Sequence, residues 1–290
     1  MEARGRGQDR AGMFTVELPR GRVEHFQAVI YQHYRAHKRA MPWRETQDPY
    51  HILVSEIMLQ QTRVERVLGK YGKFLARFPD FETLARAPWP EVLAEWQGLG
   101  YNRRALALKR LAQVVMEDWG GKLPRREDDL RSLPGIGPAT AGALLAFAYE
   151  QPVAFIETNI RRVFLHFFFA GQEAISDRKI LPLVGQTLDR ERVREWYYAL
   201  MDYGAALKVA GPNPNRRSAH YTRQSPFSGS NREVRSLILR TLLGEPILSF
   251  EELAQAVGLD EERIRAALEQ LVAEGFVVRE GDRLQLASRV

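Results

Sequence analysis

The stretch "LPGIGPATAGALLAFA", Leu133 to Ala148, decides how this chain is read. Two glycines flank one apolar residue between a short helical segment and a run of small residues. Gly135 and Gly137 permit positive φ and leave backbone N–H groups uncovered. Ile136 anchors the loop in a core while those donors face outward. Thr140, Ala141 and Gly142 then open a helix whose N-terminal dipole favours an anion. The pattern describes a backbone clamp for a phosphate that reads no bases. A helix–helix turn that needs glycine only for its geometry is the plainer reading of Gly-Ile-Gly alone.

Outward from the hairpin, the chain reads as mostly helix. "RVEHFQAVIYQHYRAH" carries apolar Val23, Phe26, Val29, Ile30 and Tyr34 at helical spacing. Pro42 and Pro49 bracket a turn, and a second helix starts near Tyr50. Further helices are predicted at 62–77, 81–86, 90–96, 102–119, 127–132, 138–149, 159–169, 176–188 and 191–207, separated by Gly, Pro or Asp. Nothing before residue 240 alternates like a strand. Residues 203–232 contain no acidic side chain and are rich in Pro, Asn, Ser and Arg, which predicts an extended basic linker. Beyond it, "NREVRSLILRTLLG", "SFEELAQAVG" and "DEERIRAALEQLVAEG" read as three helices, with Ser249 and Asp260 as caps. "FVVREGDRLQLA" reads as a hairpin around Glu280-Gly281-Asp282. Three helices and a β-ribbon make a winged-helix pattern. Its acidic second and third helices leave DNA binding, protein contact and lobe bracing open.

Composition narrows the classes. A formal charge of +6 and a pI near 9.6 fit a polyanionic partner. No apolar run reaches the length of about eighteen residues that a membrane span needs. "MEARGRGQDRAG" lacks the apolar core of a secretory signal, so residues 1–20 read as a disordered tail and the cytoplasm is the expected compartment. The absence of cysteine excludes disulfides, thiolate catalysis, Cys-ligated zinc and a Cys-ligated iron–sulfur cluster. The six histidines show no metal-ligand spacing.

Several segments together resemble one family. "LPGIGPATAGALLAFA" followed by "PVAFIETNIRRVF" resembles the helix–hairpin–helix DNA glycosylases. "MPWRETQDPYHILVSEIMLQQTRV" and "WQGLGYNRRALALKRLAQ" are closest to the MutY-like adenine-glycosylase branch. The resemblance covers roughly residues 21–208, in order. It implies an all-α, two-lobed fold carrying a C-terminal winged-helix-like (α+β) module. The second lobe would comprise 21–48 and 156–212, and a six-helix barrel with the hairpin 49–155. A basic linker over 213–232 and the winged-helix-like module at 233–290 complete the division, with the two key carboxylates across a cleft.

The resemblance also assigns roles. Glu56, in "ILVSEIMLQQ", is the matching catalytic acid. Aliphatic neighbours at Ile52, Leu53 and Leu59 would desolvate its carboxyl and let it hold a proton that a departing purine needs. A boundary glutamate reaching solvent is the plainer reading of the residues alone. Glu157, in "FIETN", would begin a helix capped by Thr158 or Asn159 whose dipole keeps it ionised beside the developing sugar cation. The family places aspartate there, so the extra methylene moves the carboxylate; an ordinary capping-region acid is the plainer alternative. Gln60 would wedge into the base stack, Leu59 line the pocket, Tyr101 wedge near the opposite base, and Trp43 and Arg44 border the base pocket.

Gly135, Gly137 and Thr140 at the hairpin, with Arg103, Arg104, Arg216, Arg217 and Arg223, are the expected backbone contacts. A structural monovalent cation at the hairpin is compatible with this loop. Ala139 stands where the lyase-active relatives carry lysine, which implies base removal without efficient strand cleavage, with Lys109, Lys122 or Lys208 as weak substitutes. The branch's cysteines are missing after "MDYGA", which implies a variant without the iron–sulfur cluster, its loop packed by Tyr221, Phe227, Pro212, Pro214 and Pro226. The branch's C-terminal reader of oxidised guanine is missing too. The function implied is a monofunctional base-excision glycosylase, a monomer acting on duplex DNA with a mismatched or damaged base, best read as adenine. In a bacterium it would be nucleoid-associated. A glycosylase for uracil, thymine or a deaminated purine, and a non-catalytic binder of damaged or abasic DNA, are the alternatives.

Overall fold

Four of the helices start on an aspartate or serine that takes up amide protons the first turn leaves unpaired. Asp48 accepts from the amides of Tyr50 and His51, with Pro49 as the first helical residue. Asp80 caps with Thr83 and Asp260 with Arg263. Ser249 and Glu252 form a reciprocal capping box. The structure, a computed structural model, describes residues 17–288.

In chain order the elements are α1 (Arg20–His37), a 3₁₀ turn (Pro42–Arg44), α2 (Pro49–Leu59), α3 (Val64–Arg77), α4 (Phe81–Arg86), α5 (Trp89–Trp96), α6 (Arg103–Asp118), α7 (Glu127–Ser132) and α8 (Pro138–Tyr149). They continue with α9 (Thr158–Phe168), α10 (Asp177–Thr187), α11 (Val193–Ala210), a second 3₁₀ turn (Pro214–Arg217), α12 (Asn231–Gly244), β1 (Leu248–Ser249), α13 (Phe250–Val257), α14 (Glu261–Ala273), β2 (Val277–Glu280) and β3 (Arg283–Leu286). The predicted helices are present with ends shifted by up to three residues. The largest shift is at α11, which runs on to Ala210.

The described residues form two compact units, one of 17–39 and 152–221, the other of 40–151 and 222–288. In the first, Phe26 of α1 meets Phe164, Phe167, Phe168 and Trp196 edge-on, with ring centroids 5.1–5.8 Å apart. Helices α9 and α11 approach so closely at Gly204 that a Cβ there would lie 2.5 Å from the Asn159 carbonyl oxygen. Only glycine fits. Asp202, two residues before Gly204 on α11, is buried and pairs with Arg39 at 2.6 Å. Residues 1–16 of the expected tail lie outside those described. Leu18, by contrast, is buried, and its amide donates to Gln186 Oε1 at 2.7 Å, so residues 17–20 belong to the fold.

The segment expected to be an open linker is partly built in. The 3₁₀ turn at Pro214–Arg217 is capped by Asn213, and Asn215 donates to the Thr158 carbonyl at 2.9 Å. The Ile175 amide donates to the Arg217 carbonyl, and the Ala219 amide to the Ile175 carbonyl, both at 2.9 Å. Tyr221, Phe227, Pro212 and Pro226 are exposed, and of the five residues expected to pack this loop only Pro214 is buried. Asparagine side chains and backbone hydrogen bonds do the holding, which composition could not show.

In the second unit the barrel helices α2–α8 enclose Trp89, Trp96, Phe74, Phe78 and Phe147, all essentially inaccessible. The C-terminal module is α12–α14 with an antiparallel sheet ordered β1-β3-β2, in register Val277 to Leu286 and Leu248 to Leu284. It packs on the barrel: Phe276 meets Trp89 edge-on at 5.5 Å, and Glu274 pairs with both Arg235 of its own module and Arg103 of α6.

Candidate active site and nucleic-acid interface

Glu56 lies in the second half of α2, half-buried between buried Ile52, Leu53 and Ile57. One turn on, at the end of the same helix, Gln60 donates through Nε2 to Thr140 Oγ1 at 3.2 Å. Thr140 belongs to the first turn of α8. The candidate acid, the candidate wedge and the hairpin helix are therefore joined within one unit.

The hairpin has the expected form with two differences. Ile136 is buried while Gly135 and Gly137 are exposed. Gly135 has φ +80°, and a Cβ there would meet Ala107 Cβ at 2.9 Å, so both backbone and space demand glycine. Gly137 instead is extended, φ −94° and ψ 176°, and caps α8 without any side-chain bond. The first-turn amides of α8 are thus left without a side-chain cap, which keeps the clamp chemistry available. Thr140 is buried and bonded to Gln60, so its hydroxyl is an internal brace and not a phosphate contact.

Arg104 corrects the expectation more strongly. Nη1 donates to the carbonyls of Ile57 (2.8 Å), Met58 (2.8 Å) and Gln60 (2.6 Å). Nη2 donates to Thr62 Oγ1 (3.0 Å) and to the carbonyls of Leu99 (3.2 Å) and Gly100 (2.9 Å). One guanidinium staples the α2–α3 turn, where Gln60 sits, to the α5–α6 turn, where Tyr101 sits. Burial pushes its pKa down to about 10 against the pull of Tyr101, so it remains charged at neutral pH. It is committed to the protein's own carbonyls. Arg103 is committed as well, with both oxygens of Glu274 at 2.5 and 2.7 Å.

Tyr101 follows two left-handed glycines, Gly98 (φ +90°) and Gly100 (φ +72°), and is itself at φ +50°. Such backbone is sparsely populated for a residue with a bulky side chain. Its hydroxyl accepts from Arg232 Nη1 at 2.8 Å and bonds to the Gln224 amide. Arg232 and Gln224 lie over 120 residues away and carry no local signal in the sequence. Trp43 is buried with its ring edge against Tyr71 at 5.4 Å, which makes it core packing and not a pocket wall. Arg44 and Leu59 are half-buried.

In the other unit Glu157 is itself the N-cap of α9, in place of Thr158 or Asn159. Oε1 accepts from the amides of Asn159 and Ile160, both at 2.7 Å, and Oε2 from Asn159 Nδ2 at 3.2 Å. Burial of its carboxyl raises the pKa, while those two amides, Arg162 and Arg161 act to lower it. The net direction is upward, contrary to the expectation that the helix end alone would hold it ionised. Arg162 donates to the Gly204 carbonyl at 2.6 Å and to Asn159 Oδ1 at 2.8 Å, locking this cap to α11. Arg217 donates to the carbonyls of Phe169 (2.6 Å) and Leu165 (2.8 Å), so it closes the C-terminal end of α9 and is not a phosphate contact. Arg216 and Arg223 are exposed. Lys109 is buried and donates to the carbonyls of Leu84 and Ala85, which removes it as a source of adventitious cleavage, while Lys122 and Lys208 are exposed.

A glycine hairpin feeding an uncapped helix, beside a glutamate set among aliphatic side chains, defines a helix–hairpin–helix DNA-repair fold. The chain belongs to the HhH-GPD superfamily of base excision DNA repair proteins, whose model matches residues 54–182. The C-terminal module matches the winged helix-turn-helix DNA-binding family over residues 232–278. Among relatives, the chain is 33% identical over 276 residues to the adenine DNA glycosylase of Mycobacterium tuberculosis, covering 86% of this chain and 89% of that protein. It is 33% identical over 185 residues to the thymine/uracil-DNA glycosylase of Methanothermobacter thermautotrophicus, covering 63% and 84%. It is 32% identical over 186 residues to the adenine DNA glycosylase of Buchnera aphidicola, of whose length it spans 52%. A solved thermostable thymine-DNA glycosylase superposes with a TM-score of 0.58 at 30% identity, over 64% of this chain and 87% of that one. An endonuclease III–DNA complex shares the fold, with a TM-score of 0.58 at 17% identity, over 68% and 91%.

Proposed function

We propose that this protein is a monofunctional DNA glycosylase that flips a mismatched or damaged base, best read as adenine, and hydrolyses its N-glycosidic bond without efficient strand cleavage. The observation that carries the reading is Glu56 one turn ahead of Gln60, with Gln60 bonded to the first turn of the hairpin helix. A proton donor, a residue to fill the vacated stack and a backbone clamp then act on one nucleotide. A neutral purine leaves slowly until a ring nitrogen is protonated, and Glu56 is the group assigned to that step. As the bond breaks, positive charge builds on the sugar. In its ionised form Glu157, held by two backbone amides, stabilises that charge, although burial raises the pKa of this carboxyl. One oxygen remains oriented by Asn159 for a water or the sugar carbon.

Ala139 at the start of α8 carries no amine for a Schiff base, which supports base release alone. With no cysteine, the chain offers no thiolate to an iron–sulfur cluster, and the residues after α11 do not fit one. The Asn213, Asn215 and Arg217 network occupies the corresponding stretch as a protein-only substitute. The 33% identity to adenine glycosylases across most of the chain favours adenine. The thymine/uracil-DNA glycosylase relative supports thymine or uracil as the second reading.

Labelled duplexes carrying adenine, thymine, uracil or hypoxanthine opposite each base, cleaved at abasic sites with alkali, test this directly. Alkali-dependent cleavage at adenine is the expected result. Preferential release of thymine or uracil would establish the second reading. Tight binding without release of any base would leave only a damage binder.

A further inference from the structure

The C-terminal module belongs by sequence to a DNA-binding family, yet its charge opposes that use of its third helix. Between Ser249 and Glu274 stand seven carboxylates and two arginines. Both arginines are engaged within the module and its approach: Arg263 donates to the Gly229 carbonyl at 2.8 Å, and Arg265 lies 4.1 Å over the Phe250 ring. Glu261, Glu262 and Glu269 of α14 are exposed. A helix-turn-helix places such a helix in the major groove between two rows of phosphates, where an acidic face is repelled.

The module meets the barrel instead through Glu274 and two arginines of α12. Glu274 joins Arg235 to Arg103, and Arg110 donates to the Glu274 carbonyl at 3.1 Å beside Gly275, which is left-handed at φ +83°. From that anchor α12 delivers Arg232 to Tyr101. The guanidinium lies 5.3 Å from the ring centroid and bonds the hydroxyl, while Arg104 lies 5.5 Å from the same ring. Arg232 Nη2 also donates to the Ser225 carbonyl at 2.7 Å, so the approach to the module is gathered at the same point. A side chain on unusual backbone is thus held at its hydroxyl and over its ring.

We propose that the winged-helix module is a brace for the partner-strand wedge. Arg232 is a positioning residue that fixes Tyr101, so that discrimination of the base opposite the excised one depends on the module while α14 stays off the DNA. The proposal rests on the reading of Tyr101 as the wedge. An aromatic wedge selects by stacking, and stacking selectively requires a ring whose rotamers are already limited before DNA arrives.

The test uses the full chain and two readouts. One is single-turnover release of adenine opposite 8-oxoguanine, guanine and cytosine. The other needs no catalysis: fluorescence of 2-aminopurine opposite an abasic analogue, which rises when a wedge unstacks it. Arg232→Ala should narrow the spread of rates among opposite bases about fivefold or more and cut the fluorescence rise, with Arg232→Lys restoring most of both. Tyr101→Phe, which removes only the hydroxyl, should fall between wild type and Tyr101→Ala. Reversing Glu261, Glu262 and Glu269 to lysine should leave affinity and its salt dependence unchanged. If Tyr101→Ala changes both readouts and neither Arg232 variant changes either, the brace is wrong and the wedge stands. If Tyr101→Ala changes neither, the wedge reading itself fails. Tighter, more salt-sensitive binding by the triple reversal would show α14 on the DNA and overturn the proposal.

Discussion

Each of the two units presents one candidate carboxylate, and the two are set in place by different means. Glu157 heads a helix and spends its oxygens on the Asn159 and Ile160 amides and the Asn159 side chain. Glu56 sits within a helix, one turn from its end, between buried aliphatic residues. The first arrangement fixes a carboxyl through its oxygens, while burial raises its pKa. The second seats a carboxyl on a helix face between buried aliphatic side chains. The same contrast extends to the arginines: Arg104 gathers two turns of the barrel unit onto one guanidinium, while Arg217 closes the end of one helix in the other.

The sharpest way to break the comparison is Glu56→Gln, which keeps size and polarity and removes the transferable proton. Base release should fall by about 10²–10⁴-fold, the usual contribution of a general acid, while the dissociation constant for lesion duplex stays close to wild type. Single-turnover release and equilibrium binding check this, and retained release removes Glu56 as the donor.

The two staples are compared by stability. Arg104→Ala strands the carbonyls of two turns and should cost about 3 kcal/mol or more, read as a loss in chemical unfolding. Arg217→Ala loses two hydrogen bonds and should cost about 1–2 kcal/mol. Equal losses would mean that the barrel turns hold without their central guanidinium.

These staples also mark the limit of what the chain discloses before folding. The hairpin, the caps at Ser249 and Asp260, and the three helices and ribbon of the C-terminal module are legible because each depends on neighbours within a few residues. Glu56 and Gln60 are legible for the same reason, as positions on one helix. Arg104 is not: its acceptors at Ile57, Met58 and Gln60 are more than 40 residues away, so charge alone reads it as a phosphate contact. Arg217 fails in the same way, with acceptors about 50 residues back. Arg232 reaches Tyr101 across 131 residues. Glutamate is a poor N-cap by preference, so the sequence points to Thr158 or Asn159, and only the bonds of Glu157 to the Asn159 and Ile160 amides show it as the cap.

Glu157→Gln sharpens the carboxylate half of the comparison through pH. Burial, the largest influence, raises the Glu157 pKa in the fold. A carboxyl raised in this way contributes stability that is full below its unfolded pKa and lost as pH rises through the folded value. Glutamine keeps an acceptor for the two amides and removes the buried charge. Glu157→Gln should therefore melt above wild type at about pH 8, by a margin that shrinks as pH falls through the folded pKa. On the proposed role of Glu157, excision uses the ionised form, so wild-type activity should fall on the acid side at a pH above the ordinary glutamate range. An acid limb at the ordinary value would show that the surroundings leave this carboxyl unshifted.

The smallest expected effect separates Arg216 from Arg217, neighbours with equal charge. Arg216 is exposed, whereas Arg217 is turned inward onto Phe169 and Leu165. A phosphate contact contributes about one unit to the slope of log K against log salt, and a guanidinium bonded to carbonyls contributes little. Arg216→Ala should flatten the slope by about one unit without moving the melting temperature. Arg217→Ala should lower the melting temperature and leave the slope in place. Two residues that charge counting treats as one would then divide cleanly, one serving the DNA and the other the fold. A flattened slope in Arg217→Ala alone would mean that its carbonyl bonds give way to phosphate when duplex binds.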